Sequence, residues 1–442
     1  MMDKFFPVFL IFFAAFPAWA QSPLQNCALR PELIFEMGEA EYGAYNVWDA
    51  VYGEMNTDEG FSSGVVVESG NVVAAGEKAS FGKEGKVLQL VEFDQRGRVV
   101  WEAEHTVEGL FGIKKMLSVP GGFAVMGTVK DKKSRSSVWL GFFDRGGKIL
   151  DRKKIEVNGN SLLPDDVILQ TDGKGFLLSA AEGDEKKEIF HAVLYHLDMK
   201  GRVKDRQSYM PGLDNRVSSI SPVGKNQYIA SGYLRGEDGR ITGWMLRLNA
   251  DGSLVWQRQY PRGSMAGIVK SMAFTGENVL AVGETKPSGG GLSAGWAMMI
   301  DGGTGDVIWQ RYYTADMNQS AIDILVNMEG LASVMLAVTK TLGVENTEGK
   351  KDYIRLLTVN ARGELAKSDE YFSAEGAQAA QMIGGRAGER IVLGRSDIVY
   401  KIEPKPGAAV ETLRHGWNGW VTAGAPMESF DDPCLQSEAF RP

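Results

Sequence analysis

The sequence predicts an all-β protein, a seven-bladed β-propeller closed by an N-terminal strand in the last blade. Three observations predict it. A turn of the form Asp/Asn-x-x-Gly recurs at a spacing of about fifty residues. The segments flanking each turn alternate apolar and polar residues with period two, as half-buried strands do. A Trp-to-Tyr segment near the start also repeats the last strand of later units, before any unit is complete.

The turns come first because they set the period. They are Asp94-Gln95-Arg96-Gly97, Asp144-Arg145-Gly146-Gly147, Asp198-Met199-Lys200-Gly201, Asn249-Ala250-Asp251-Gly252, the longer Asp301 to Gly305, and Asn360-Ala361-Arg362-Gly363. Successive glycines lie 50, 54, 51, 53 and 58 residues apart, and a degenerate seventh copy, Ile402 to Gly407, follows after 44. Asp or Asn opens such a turn with its own side chain, and glycine takes the positive φ. Strands follow from the alternation: Val87 to Phe93 enters the first turn and Arg98 to Trp101 leaves it. Upstream of each hairpin lies a β-rich run, Asn71 to Gly76 in the first unit and Arg390 to Gly394 in the last, with a weaker strand before it. Four short strands in about fifty residues, with no helical periodicity between units, fit propeller blades. Trp101, Trp256 and Trp309 are expected to fill the gaps between blades.

Closure is read from Trp48-Asp49-Ala50-Val51-Tyr52, which matches the Trp-to-Tyr spacing of Trp256 to Tyr260 and Trp309 to Tyr313. In the later units this segment is the outermost strand, so the early copy is expected to complete the final sheet and remove an exposed edge. The predicted organisation is a signal peptide over 1–20, an N-terminal extension over 21–44, the propeller over 45–415 and a C-terminal tail over 416–442. The leader reading rests on Lys4, the apolar run Phe5 to Phe16 and Ala18-Trp19-Ala20. It implies a periplasmic or secreted protein, and the apolar run is too short to span a bilayer. The two cysteines, Cys27 and Cys434, sit near the two ends, and an oxidising compartment favours a bridge between them.

Charge excludes one class of partner. A net charge of -8 with no Lys/Arg-rich stripe argues against nucleic acid, whose sequence-independent binding needs clustered positive charge. The chain has no His-Glu-x-x-His, P-loop or cysteine cluster. His191 and His196, five apart on one strand, project from opposite faces and cannot share a metal. Gly289-Gly290-Gly291 has no helix after it and is no phosphate cradle. No cofactor and no metal site are therefore predicted from such motifs.

Candidate ligand-binding residues are the carboxylates placed just before the innermost strands: Asp58, Glu59, Asp165, Asp166, Asp214, Asp316 and Glu375. Converging on the channel, they would coordinate Ca²⁺, which takes six to eight oxygens, or hold a cationic group. A facing pair would instead serve as acid and base of a glycosidase or lyase. Turn chemistry is the plain alternative for each. Charged loops of mixed sign, Lys130 to Arg135 among them, form a rim on the same face. Trp417 and Trp420 in the tail are placed to cap the channel or to stack on sugar rings.

Tyr52-Gly53-Glu54, Asp58 to Phe61, Asn71 to Gly76 and Asn249 to Gln257 together resemble the repeats of secreted bacterial β-propeller proteins. Asp301 to Trp309 resembles the tryptophan-docking motif of quinoprotein-type propellers. The resemblance covers roughly Trp48 to Gly407. Quinoprotein dehydrogenases resemble eight-bladed rings with adjacent cysteines beside the quinone, and this chain has neither. The expected function is an exported, non-catalytic recognition or scaffold module binding a protein or polysaccharide through its propeller face, with the carboxylate enzyme as the alternative. If the ends are bridged, gel mobility will differ with and without reductant, and Cys27→Ser will lower the melting temperature.

Overall fold

The computed structural model describes residues 29–38, 46–54, 56–327, 330–340, 351–373, 376–402 and 412–427. The propeller unit is Pro31–Ser429; the other unit, Met1–Arg30 with Phe430–Pro442, lies almost wholly outside the described residues. Cys27, Cys434 and the leader are outside them too. No helix occurs among the described residues. Strands group into seven sheets, each an antiparallel meander that runs outward from the axis. The innermost strands are Thr57–Val66, Leu110–Val119, Ser161–Leu169, Asp214–Val223, Met265–Thr275, Asn318–Val326 and Ala377–Gly384. Blades are numbered one to seven in that order.

In blades one to six the Asp/Asn-x-x-Gly turn joins the third strand to the fourth. Asp94 shows how: its Oδ1 accepts the amides of Arg96 and Arg98 at 2.8 and 3.0 Å, and Gly97 sits at φ 75°. These bonds, with the Arg98 guanidinium, hold the Asp94 carboxyl down at about 2. Each turn also meets a side chain from the blade before it. A Cβ on Gly147 would lie 2.6 Å from Trp101, one on Gly363 2.8 Å from Trp309, and one on Gly97 2.9 Å from Trp48. Glycine is required there both for its φ and for the ring packed against it. The tryptophans thus fill the gaps between blades, with Trp256 and Trp309 buried.

Blade seven closes the ring as the spacing predicts. Asn46–Tyr52 pairs antiparallel with Thr412–Gly424, setting Trp48 opposite Ala423 and Tyr52 opposite Gly419. The blade reads Ala377–Gly384, Arg390–Ile402, Thr412–Gly424 and Asn46–Tyr52 from the axis outward. Two expectations are corrected here. Residues from Gly416 are not a tail: Gly416 to Gly424 lie in the third strand, and Trp420 is fully buried with Nε1 2.6 Å from Asp49 Oδ1. The degenerate copy ending at Gly407 also does not stand between a third and a fourth strand: residues 403–411, outside the described residues, follow the second strand of blade seven and precede its third. A further strand, Glu32–Glu36, falls within the expected extension. It adds in parallel to the outer edge of blade five, and Phe35 stacks on Tyr313 at 5.6 Å.

Every innermost strand carries a β-bulge at one equivalent position: Ser62, Lys114, Asp165, Ser218, Lys270, Ile322 and Ala380 are skipped by the ladder. The bulge turns the next residue toward the neighbouring blade. Ser63 Oγ accepts the Met116 amide at 2.9 Å, and Asp166 Oδ2 accepts that of Ile220 at 2.9 Å. Asp323 Oδ2 accepts the Met382 amide at 2.8 Å, and Gln381 Oε1 that of Gly64 at 2.9 Å. Each donor stands two residues beyond the bulge of the next blade. Lys115 Nζ to Asp166 Oδ1 at 3.2 Å and Ser271 Oγ to Asp323 Oδ1 at 2.7 Å join two more junctions.

Replacing Asp323 with Ala strands the Met382 amide and the Ser271 hydroxyl, so urea unfolding should show a loss of about 1–3 kcal/mol. Trp420→Ala opens a cavity in blade seven and is expected to cost about 3–5 kcal/mol in the same measurement; a change under about 0.5 kcal/mol would return Trp420 to an exposed tail.

Candidate functional site

The proposed carboxylates do not gather at one point. Asp165 and Asp166 lie at the bulge of blade three, well inside the strand. Asp165 forms a forked pair with Arg216, with Nε 3.1 and 3.2 Å from its two oxygens. Burial pushes the Asp165 carboxyl up, against the pull of Arg216. Asp166 belongs to the ring of inter-blade bonds. Asp214 opens its strand and accepts the Phe190 amide at 2.8 Å and the Tyr233 hydroxyl at 3.0 Å. Asp316 is exposed on the connection from blade five to blade six. Glu375 lies outside the described residues. Among the described residues no three His, Cys, Asp or Glu side chains stand close enough to hold a metal ion. Asp165, Asp166 and Asp214 thus serve as acceptors within the fold. The two histidines are separated as the strand period requires: His191 Nδ1 is 3.2 Å from Asn215 Nδ2, and His196 Nδ1 is 3.0 Å from Gln170 Nε2.

Asp58 meets further charged and aromatic side chains, at the seam where blade seven abuts blade one. A cleft of about 510 Å³ opens there, lined by Asp58, Glu77, Lys86, Gln378, Arg395 and Trp417. Asp58 is the second residue of its strand, and its Oδ1 accepts the Trp417 amide at 3.0 Å, which fixes that end of the third strand of blade seven. Arg395, on the second strand, lies with its guanidinium 4.3 Å from the centre of the Trp417 ring. Gln378 Oε1 accepts from Arg395 Nε and Nη2 at 3.1 and 2.8 Å, holding the guanidinium over the indole. Glu77 faces Lys86 at 3.4 Å and accepts the Ile113 amide at 3.1 Å. Gly60 leaves the floor open, since a Cβ there would touch Arg395 at 3.4 Å.

Glu59 points the other way, into the packing between blades. Its side chain is wholly enclosed; Oε1 accepts the Thr57 hydroxyl at 2.8 Å and the Glu54 amide at 3.2 Å, and Lys78 Nζ lies 3.9 Å away. Burial raises its pKa above the usual carboxylate value. Lys78 in turn binds Glu54 at 3.0 Å and Glu104 at 2.8 Å. This side of Glu59 locks the seam, and the cleft beyond it is built on that lock.

Sequence reasoning found Asp58 and Glu59 but placed Trp417 in a tail, and it missed Arg395, Gln378, Glu77 and Lys86. Their only sequence signal is parity. In an alternating strand, Arg395 stands out as a charge two residues after the buried Leu393. Such a signal becomes specific only once the register against Gly419 and Gln378 is known.

No family model matches the chain, and no curated protein matches it. Solved structures similar to it include WD40 domains and the β-propeller domain of a Pyrococcus furiosus protease. The WD40 domain of Neurospora crassa Pan2 shares 10% identity over 86% of this chain and 100% of that one, at a TM-score of 0.46. Chaetomium thermophilum Sqt1, solved bound to the N-terminus of the ribosomal protein L10, shares 12% over 79% and 98%, at 0.44. A puromycin hydrolase S511A mutant complexed with PGG shares 14%, at a TM-score of 0.45. The match takes in 76% of this chain and spans half (50%) of the hydrolase. The likeness is one of fold, and the blade count rests on the strand ladders described above.

Proposed function

We propose that the protein is an exported recognition module that binds a protein or polysaccharide partner on the propeller face, through the cleft at the seam of blades seven and one. The observation that carries this is the Arg395–Trp417 pair. A guanidinium laid over an indole and held by Gln378 is a flat, rigid, amphipathic platform, the kind of surface on which binding energy concentrates. Its aromatic face accepts an apolar side chain or a sugar ring, while Lys86, Asp58 and Glu77 at its edge supply charges of both signs. The catalytic alternative gains nothing from the site, because Asp58 and Glu77 both spend an oxygen on backbone amides of the fold. The export signal read in residues 1–20 is the support for placing this module in the periplasm or outside the cell.

The test is capture from envelope and extracellular fractions, beside a glycan array, using residues 21–442 as bait. Trp417→Ala and Arg395→Glu should each weaken binding of the captured partner roughly thirtyfold, the equivalent of about 2 kcal/mol. Melting temperature should stay near that of the parent. Equal binding by both variants would move the function away from this cleft.

A further inference from the structure

Blade two is chemically unlike the rest of the ring. Between Val107 and Val157 the chain carries eleven Lys and Arg against five Asp and Glu, a net +6 within a protein of -8. The charge lies in two main segments, Lys130 to Arg135 and Arg152 to Lys154, about twenty residues apart in sequence. Folding brings five of the cations, Lys130, Lys132, Arg152, Lys153 and Lys154, to the wall of one open cleft of about 740 Å³. Trp139 and Val129 line the same cleft. Some of this charge is answered locally: Lys153 pairs with Asp151 at 2.6 Å and Lys154 with Glu156 at 2.8 Å. Lys132 and Arg152 are exposed, and neither forms an ion pair among the described residues.

The outermost strand of this blade, Ile149–Ile155, borders the cleft, and among the described residues no strand pairs with its outer edge. Its Arg152 amide donates to the adjacent Asp151 carboxylate at 2.8 Å, a side chain standing where a partner's carbonyl would sit. An edge of this kind is a template for one more strand. The same molecule shows such an addition on blade five. There Glu32–Glu36, two glutamates flanking Leu33-Ile34-Phe35, lies along the outer edge of Val307–Thr314 with residue-by-residue pairing, and Glu32 reaches Arg262 at 3.5 Å. Blade five has its extra strand supplied by its own chain. Blade two has an open edge and the opposite charge to attract one.

We infer that the outer edge of blade two is a second binding site, taking an acidic, extended polypeptide segment from a partner protein by strand addition, with its carboxylates directed at Lys132 and Arg152. Backbone pairing supplies register and the basic cleft supplies selectivity. The site is separate from the seam cleft and does not depend on it.

The probe is a fluorescein-labelled peptide with the Glu32–Glu36 sequence flanked by two further glutamates on each side, titrated with the propeller and followed by anisotropy. The parent and Trp417→Ala should bind it alike, while the exposed double variant Lys132→Glu/Arg152→Glu, with an unchanged melting temperature, should bind at least tenfold more weakly. N-methylation of alternate peptide amides should cost at least as much, because charge is kept and ladder donors are lost. Failure of the parent to bind, or unchanged binding by the double variant, overturns the site. Unchanged binding of the N-methylated peptide overturns strand addition. Binding of polygalacturonate with no binding of the peptide assigns the basic cleft to an acidic glycan and overturns the polypeptide partner.

Discussion

The bulge shared by all seven innermost strands is the constraint on which the ring rests. A regular strand would send every backbone amide into its own sheet and leave blades touching only through side-chain packing. One skipped residue per strand breaks the ladder at the same height in every blade and aims the next side chain sideways. Ser63, Asp166, Asp323 and Gln381 then accept an amide of the next blade, and Lys115 and Ser271 bridge to their neighbours' acids. These are directional bonds, and a buried donor left unpaired is costly. They fix the angle between blades, and apolar packing farther out follows that angle.

A second layer of junctions lies at the rim. An aromatic side chain of one blade rests against the turn glycine of the next, and hydroxyls reinforce it: Tyr209 binds the Gly252 carbonyl, and Tyr260 that of Gly305 at 2.9 Å. The inner ring uses hydrogen bonds because it is narrow and polar, while the outer ring uses large rings because the blades splay apart with distance from the axis. The seam cleft falls at the junction where strands from early and late in the sequence meet. Asp58 of blade one holds the third strand of blade seven, and the platform of Trp417 and Arg395 stands on that hold.

Architecture was largely legible in the sequence because its signals are local. A period-two strand, a turn opened by Asp and closed by Gly, and a Trp-to-Tyr spacing are each decided within ten residues or so, and repetition multiplies them. Blade seven was misread from Gly416 onward for the converse reason. Its fourth strand is Asn46–Tyr52, so the local turn that marks the other blades is absent and Trp420 looks isolated. The candidate site was only half legible. Asp58 could be placed near an inner strand, but its use depends on Trp417, about 360 residues away, and on cross-strand register. Asp165 and Asp166 were expected just before an inner strand; they lie at the bulge within it. The basic character of blade two was hidden because its charges come from separate strands and loops.

Closure by Asn46–Tyr52 also has a kinetic meaning. The strand is made some 360 residues ahead of its partner, Thr412–Gly424. Until that partner is made, a β-rich edge bearing Trp48 and Val51 has nothing to pair with, and the loop that must eventually close is several hundred residues long. Such distant pairing is slow, and an unpaired edge invites association with other chains. A single molecule is therefore vulnerable for the whole interval between its first strand and its last, and whatever shields that segment in the meantime governs the yield of the folded ring.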